Sequence, residues 1–188
     1  MVILSLTALV AGAYGATITA NYYKFYSSLH TITVNLTSFY WVADNRSLNG
    51  TVTFNLANPS DYKGLGLAFF KMTWEIDGLN GKEKMPQGAP NLPLYMPRTL
   101  DPTKPITIDL QGGGMAPQRV TLIRSISGDI EFLFSVDLGI SSFLNSQATS
   151  IDSFDCVSSG GPGTCQLIGT EIIPVPTAGG GGGGGGGN

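Results

Sequence analysis

Two cysteines, one histidine and thirteen acidic side chains make up most of the reactive inventory of this 188-residue chain, and their spacing limits what they could do. Cys156 and Cys165 flank the eight residues Val157–Thr164, a Ser- and Gly-rich loop flexible enough to bring the thiols together. A disulfide is the favoured reading, with two free thiols in a reducing cell as the alternative. In the chain-entropy model a loop this short contributes about 2–3 kcal/mol. A zinc-type site lacks ligands, because there is no third cysteine and His30 is the only histidine. His30 has no neighbouring cysteine or carboxylate and reads as a junction residue. Asp129, Glu131, Asp137, Asp152 and Asp155 could offer oxygens to calcium. Their alternation with apolar residues such as Phe132 and Phe134 reads instead as charges on the solvent side of strands. Gly64-Leu65-Gly66 and Gly112–Gly114 lack the strand-to-helix context and the lysine of nucleotide loops, so they read as turns. The expectation is therefore no catalytic residue, no cofactor and no metal, and a chain that is not an enzyme.

Three N-x-S/T sequons offer a different chemistry: Asn35-Leu36-Thr37, Asn45-Arg46-Ser47 and Asn49-Gly50-Thr51. Asn58-Pro59-Ser60 is excluded by its proline. Beside a disulfide they point to an extracellular domain carrying N-linked sugar. Charged residues are only 12% of the chain, about half the usual share, so the surface is neutral and polar. The net charge is −3 and the ten basic residues are scattered, which leaves nothing to track a phosphate backbone. Nucleic acid is not an expected partner.

The element that organises the rest is Val2–Leu29. No charged side chain occurs before Lys24. The spacing predicts a helix with a small-residue row at Ala8, Gly12, Ala16 and Ala20, flanked by Ala11, Gly15 and Thr19. Such rows let helix backbones approach closely. The opposite side carries Leu6, Val10, Tyr14, Ile18 and Tyr22. At about 1.5 Å per residue the helix would reach roughly 42 Å, enough to cross a bilayer. Three roles compete: a cleavable signal peptide, a membrane anchor, and an assembly helix that bundles with copies of itself. No Lys or Arg precedes the apolar run, which counts against a signal peptide.

From residue 31 the period changes from helical to alternating. Thr31–Trp41 reads as a strand with Ile32, Val34, Leu36 and Phe39 on its apolar side. Asp44–Gly50 reads as a turn ending in the hairpin signal Asn49-Gly50. Thr51–Ala57 is a second strand, stopped by Asn58-Pro59. Leu65–Ile76 is a third, whose change of parity near Phe70-Lys71 predicts a bulge. Asp77-Gly78 and Asn80-Gly81 read as turns, and Pro86–Pro105 as an extended loop. Further strands are expected over Ile106–Leu110, Val120–Ile126, Ile130–Leu138 and Gln166–Val175, the middle two joined through Ser127-Gly128-Asp129. About seven short strands argue for an antiparallel β-sandwich.

Thr51–Leu67, with its Asn58-Pro59-Ser60 break and Gly64-Leu65-Gly66 return, is followed by Thr73-Trp74-Glu75-Ile76-Asp77-Gly78 and later by Ile126–Phe132. Together they resemble the late-embryogenesis-abundant type 2 (water-stress and hypersensitive-response) domain over residues 31–140. That resemblance implies an immunoglobulin-like sandwich without enzymatic activity. An apolar N-terminal helix ahead of a glycosylatable sandwich is similar in architecture to archaeal type IV pilins and flagellins, although Ser5 stands where many pilins carry a glutamate. This similarity implies a cell-surface filament built from copies of the chain, with passage through a membrane before assembly.

The organisation expected is thus an apolar helix over 1–30, a sandwich over 31–175 and a Gly-rich tail over 176–188. The functional expectation is the structural subunit of an extracellular archaeal pilus-like filament. Alternatives are a membrane-anchored binding or accessory module of an envelope complex, and a filament joined by strand donation.

Overall fold

The computed structural model describes residues 2–44, 47–77, 83–85, 98–113, 115–144 and 146–175. A long helix, α1 (Val2–Leu29), leads into β1 (Thr33–Ala43), β2 (Leu48–Ala57) and β3 (Leu65–Asp77). Short strands β4 (Glu83–Met85) and β5 (Arg98–Thr99) precede β6 (Ile106–Gly113) and a second helix, α2 (Pro117–Ser125). The chain closes with β7 (Ile130–Ser142), β8 (Gln147–Ser158), β9 (Gly161–Pro162) and β10 (Thr164–Val175). The protein is mainly β, with two antiparallel sheets. The first runs β6-β2-β1-β9; the second runs β10-β8-β7-β3-β4, with β5 also paired to β3.

Alternation sets which side chains face inward. Val52, Phe54 and Leu56 of β2 and Phe132, Phe134, Val136 and Leu138 of β7 are all fully buried. The two sheets meet through aromatic rings: Phe39 lies 4.9 Å from Phe132 and 5.1 Å from Phe134, and Phe54 lies 5.4 Å from Phe70. Trp74, reaching from β3, lies against the backbone of β2 and β6. A Cβ at Gly50 would stand 2.5 Å from its ring, and one at Gly112 would stand 3.0 Å away. Those two glycines make room for the indole.

Several sequence expectations need correction. Asn49-Gly50 is not the hairpin turn. The turn closes earlier, where the Asp44 amide donates to the Ser47 carbonyl at 3.0 Å, and Gly50 lies inside β2 because Trp74 needs its missing side chain. Gly112 and Gly113 likewise end β6 rather than forming a turn. The β3 bulge falls between Leu67 and Phe69, slightly before its expected place, and turns Phe69 outward over Gly139. Val120–Ile126 is not a strand. Val120–Ser125 belongs to α2 and Ile126 caps its end; Pro117 sits in the first turn and the buried pair Val120 and Ile123 is three residues apart, as a helix face requires. The β-branched residues suggested a strand, but helix-spaced burial overrides that propensity. The turns at 78–82 and most of the proline loop lie outside the described residues.

Strand β8 went unread because its inward positions are small or polar: Ala148, Ser150 and Asp152 precede Phe154 and Cys156. Asp152 is accordingly not a surface charge. It is buried, accepting from Thr170 Oγ1 at 2.5 Å and from Ser150 Oγ at 3.4 Å. Burial raises its carboxyl above the ordinary carboxylate range, and the two hydroxyls offset part of that rise.

Two outcomes follow from this packing. Gly50→Ala presses a methyl group on a buried indole and should cost about 1–3 kcal/mol in urea denaturation. For Asp152, a folded-state pKa raised above the unfolded value means the group favours folding most below the unfolded pKa. That contribution is lost as pH rises through the folded pKa. Asp152→Asn should therefore raise the urea midpoint at pH 7, and the gain should vanish on acidification below the unfolded carboxylate pKa.

Candidate assembly site: the projecting helix and its joint

Ser5–Ala20 of α1 is exposed at every position. Large apolar side chains share that exposure: Leu6 is 66% exposed, Leu9 73%, Val10 63% and Tyr14 68%. Among the described residues, a Cβ added at Gly12 or Gly15 would meet nothing within 4 Å beyond the helix's own backbone. Two hydroxyls turn back onto the helix, where Thr17 Oγ1 donates to the Ala13 carbonyl and Thr19 Oγ1 to the Gly15 carbonyl, each at 2.9 Å. What remains outward is hydrocarbon, small residues and tyrosine. A helix apolar on all sides belongs in a core or in lipid.

The base of α1 is fixed to the sheets. Asn21, Phe25, Ser28 and Leu29 are buried, at the three- and four-residue spacing of one helix face. Asn21 Oδ1 accepts from the Tyr62 hydroxyl at 2.6 Å. Burial is the main effect on that phenol and raises its pKa, which keeps the proton available for donation. Tyr62 is positioned in turn by Asn58, whose side chain is 1% exposed. Its Nδ2 donates to the carbonyls of Tyr62 and Leu100, both at 2.9 Å. Its Oδ1 accepts from the Ser60 amide at 3.1 Å and the Ser60 hydroxyl at 2.6 Å. The Asn58-Pro59 step that ends β2 is thus also the seat of the helix joint. Beside the joint lies an open groove of about 640 Å³, bordered by Thr17, Lys24, Lys63 and the 66%-exposed Phe143.

All eight residues predicted for assembly, Leu6, Ala8, Val10, Gly12, Tyr14, Ala16, Ile18 and Ala20, lie on the exposed stretch of α1. Cys156 and Cys165 form a disulfide that joins directly opposed residues of β8 and β10. Asn35 and Asn49 are exposed on the outward side of β1 and β2, whereas Asn45 lies outside the described residues. His30 is exposed just after α1, at the junction expected. Sequence reasoning missed Asn21, Asn58 and Tyr62. One signal was present: Asn21 is the first amide or charged side chain in the chain, a polar break in an otherwise unbroken run.

Among the described residues no helix is long and apolar enough to cross a membrane. The disulfide belongs to a non-reducing environment.

No family model matches the chain. No curated protein matches it either. Among solved structures it is similar to a structural-genomics target protein at 12% identity and TM-score 0.41, over 79% of this chain and 90% of that one. A protein from Archaeoglobus fulgidus matches at 12% identity and TM-score 0.39, over 77% of this chain and 97% of that one. Likeness at that level carries no argument about role.

The joint makes a measurable demand. Tyr62→Phe leaves Asn21 Oδ1 buried without its donor and should cost about 1–3 kcal/mol in urea denaturation. Adding Asn21→Leu removes the orphaned acceptor and should recover much of the loss.

Proposed function

We propose that this chain is the structural subunit of an extracellular filament of the archaeal type IV pilin kind, polymerising through α1 around copies of itself. The observation that carries the reading is the uncovered, charge-free stretch Ser5–Ala20 on a base that is firmly docked. Covering it with like helices gives each Leu or Val side chain about 1.5–3 kcal/mol on full burial. The small-residue row Ala8, Gly12, Ala16 and Ala20 would allow backbones to approach, and Leu6, Val10, Tyr14 and Ile18 would fill the grooves between them.

In this reading the remainder is an immunoglobulin-like sandwich displayed on the outside of the filament. The disulfide suits the compartment, and a neutral surface suits a polymer whose subunits crowd side by side. Its mechanism is packing rather than catalysis.

Electron microscopy of material sheared from the cell surface should show filaments containing this chain. Gly12→Leu should abolish them. The same substitution should leave the thermal midpoint of the isolated protein unchanged, because among the described residues nothing beyond its own helix backbone comes within 4 Å of a side chain added at Gly12. Filaments at normal yield from Gly12→Leu would remove the stripe from the mechanism.

A further inference from the structure

The outward side of the first sheet carries a feature independent of the filament reading. Across β1, β2 and β6, Tyr40 pairs with Thr51 and Thr51 with Gln111, so these three stand in one row. The next outward row is Val42, Asn49 and Gly113. Between the rows runs the backbone of Gly50 and Gly112, whose Cα atoms face Trp74 on the other side of the sheet. The result is an open groove of about 370 Å³ with Tyr40 on one side, Gln111 on the other and glycine in its floor. That volume lies within the roughly 300–1,000 Å³ range of small-ligand sites.

All three residues of the sequon Asn49-Gly50-Thr51 line this groove. Asn49 is exposed, and its amide nitrogen donates to the neighbouring Ser47 hydroxyl at 3.1 Å. We propose that Asn49 bears an N-linked glycan whose first sugar lies in the groove between Tyr40 and Gln111. In the transfer, the Asn49 amide nitrogen bonds to the anomeric carbon of a sugar carried on a lipid phosphate. The anomeric C–O bond breaks with its electron pair on the phosphate, and one amide proton passes to a base of the transferring enzyme. In the folded protein the C–H face of the sugar packs on the 46%-exposed Tyr40 ring. Its hydroxyls meet the Gln111 amide and the Thr51 hydroxyl, each able to donate and accept.

The Asn35 sequon lacks these neighbours. Asn35 faces Asn55, six positions along β2 from Asn49 and about 20 Å away at strand rise. Its row continues to Thr107, with no aromatic wall and no glycine floor. A glycan there stands free in solvent.

The test uses the protein purified from cells that make it naturally. Glycopeptide mass spectrometry should find Asn49 modified. On the native protein, mixed exoglycosidases should trim the Asn49 glycan at least tenfold more slowly than on the heat-denatured chain. Tyr40→Ala should remove that protection, with Tyr40→Leu as a second variant that keeps bulk at the position, and thermal midpoints checking that both remain folded. An unmodified Asn49, or a trimming rate that neither denaturation nor Tyr40→Ala changes, overturns the proposal. Tyr40-dependent binding of free oligosaccharide by protein unmodified at Asn49 would assign the groove to a sugar from another molecule, and overturns it equally.

Discussion

The fold depends on one packing relation, the seating of aromatic rings from one sheet against the other. Trp74 is the most demanding of them, because a fully buried indole lying on two strands requires that those strands carry no side chain beneath it. Gly50 and Gly112 meet that requirement at paired positions of β2 and β6. On the opposite side of the sheet the backbone of the same two glycines forms the floor of the groove beside Tyr40. The same two residues therefore border both a core contact and a surface groove. Phe39, Phe132 and Phe134 continue the ring contacts towards the β9 edge, where the Gly163 amide donates to the Phe39 carbonyl.

A second relation ties the helix to this body. The joint is a short hydrogen-bonded series, from Asn58 to the backbone of Tyr62 and Leu100, and from the Tyr62 hydroxyl to Asn21. Phe25 and Leu29 add apolar burial beside it. Each polar member is buried and paired, so the series fixes a geometry as well as contributing energy. From Asn21 onward the helix is held by the sheets, whereas Ser5–Ala20 is exposed at every position.

Most of the framework was legible in the residues. Alternation at Val52, Phe54 and Leu56 gave a strand with the right face inward, and the break at Asn58-Pro59 ended it where the structure does. The cysteine spacing gave the disulfide. Where reading failed, a local signal was outweighed by a distant contact. Asn49-Gly50 has turn chemistry, yet Trp74, far along the chain, holds that glycine in a strand. Val120 and Ile123 have strand propensity, yet Pro117 and three-residue spacing make them a helix face. Strand β8 escaped because buried Ser150 and Asp152 satisfy each other and Thr170 by hydrogen bonds, a compensation invisible in hydrophobic pattern. Of the candidate site, the exposed rows on α1 followed from periodicity. The joint did not, since Asn21 and Tyr62 meet only once the sheets are in place.

The absence of charge along the outer helix has a consequence for how any contact made there responds to its surroundings. Attraction between ionised groups weakens as salt rises within a Debye length of about 8–10 Å, and changes with every titration. A surface whose first ionisable cation is Lys24 offers dissolved ions little to screen. Cohesion through apolar burial follows temperature instead, loosening on cooling as the hydration of hydrocarbon becomes less unfavourable. A contact on this helix would hold through brine and acid and be weakest in the cold.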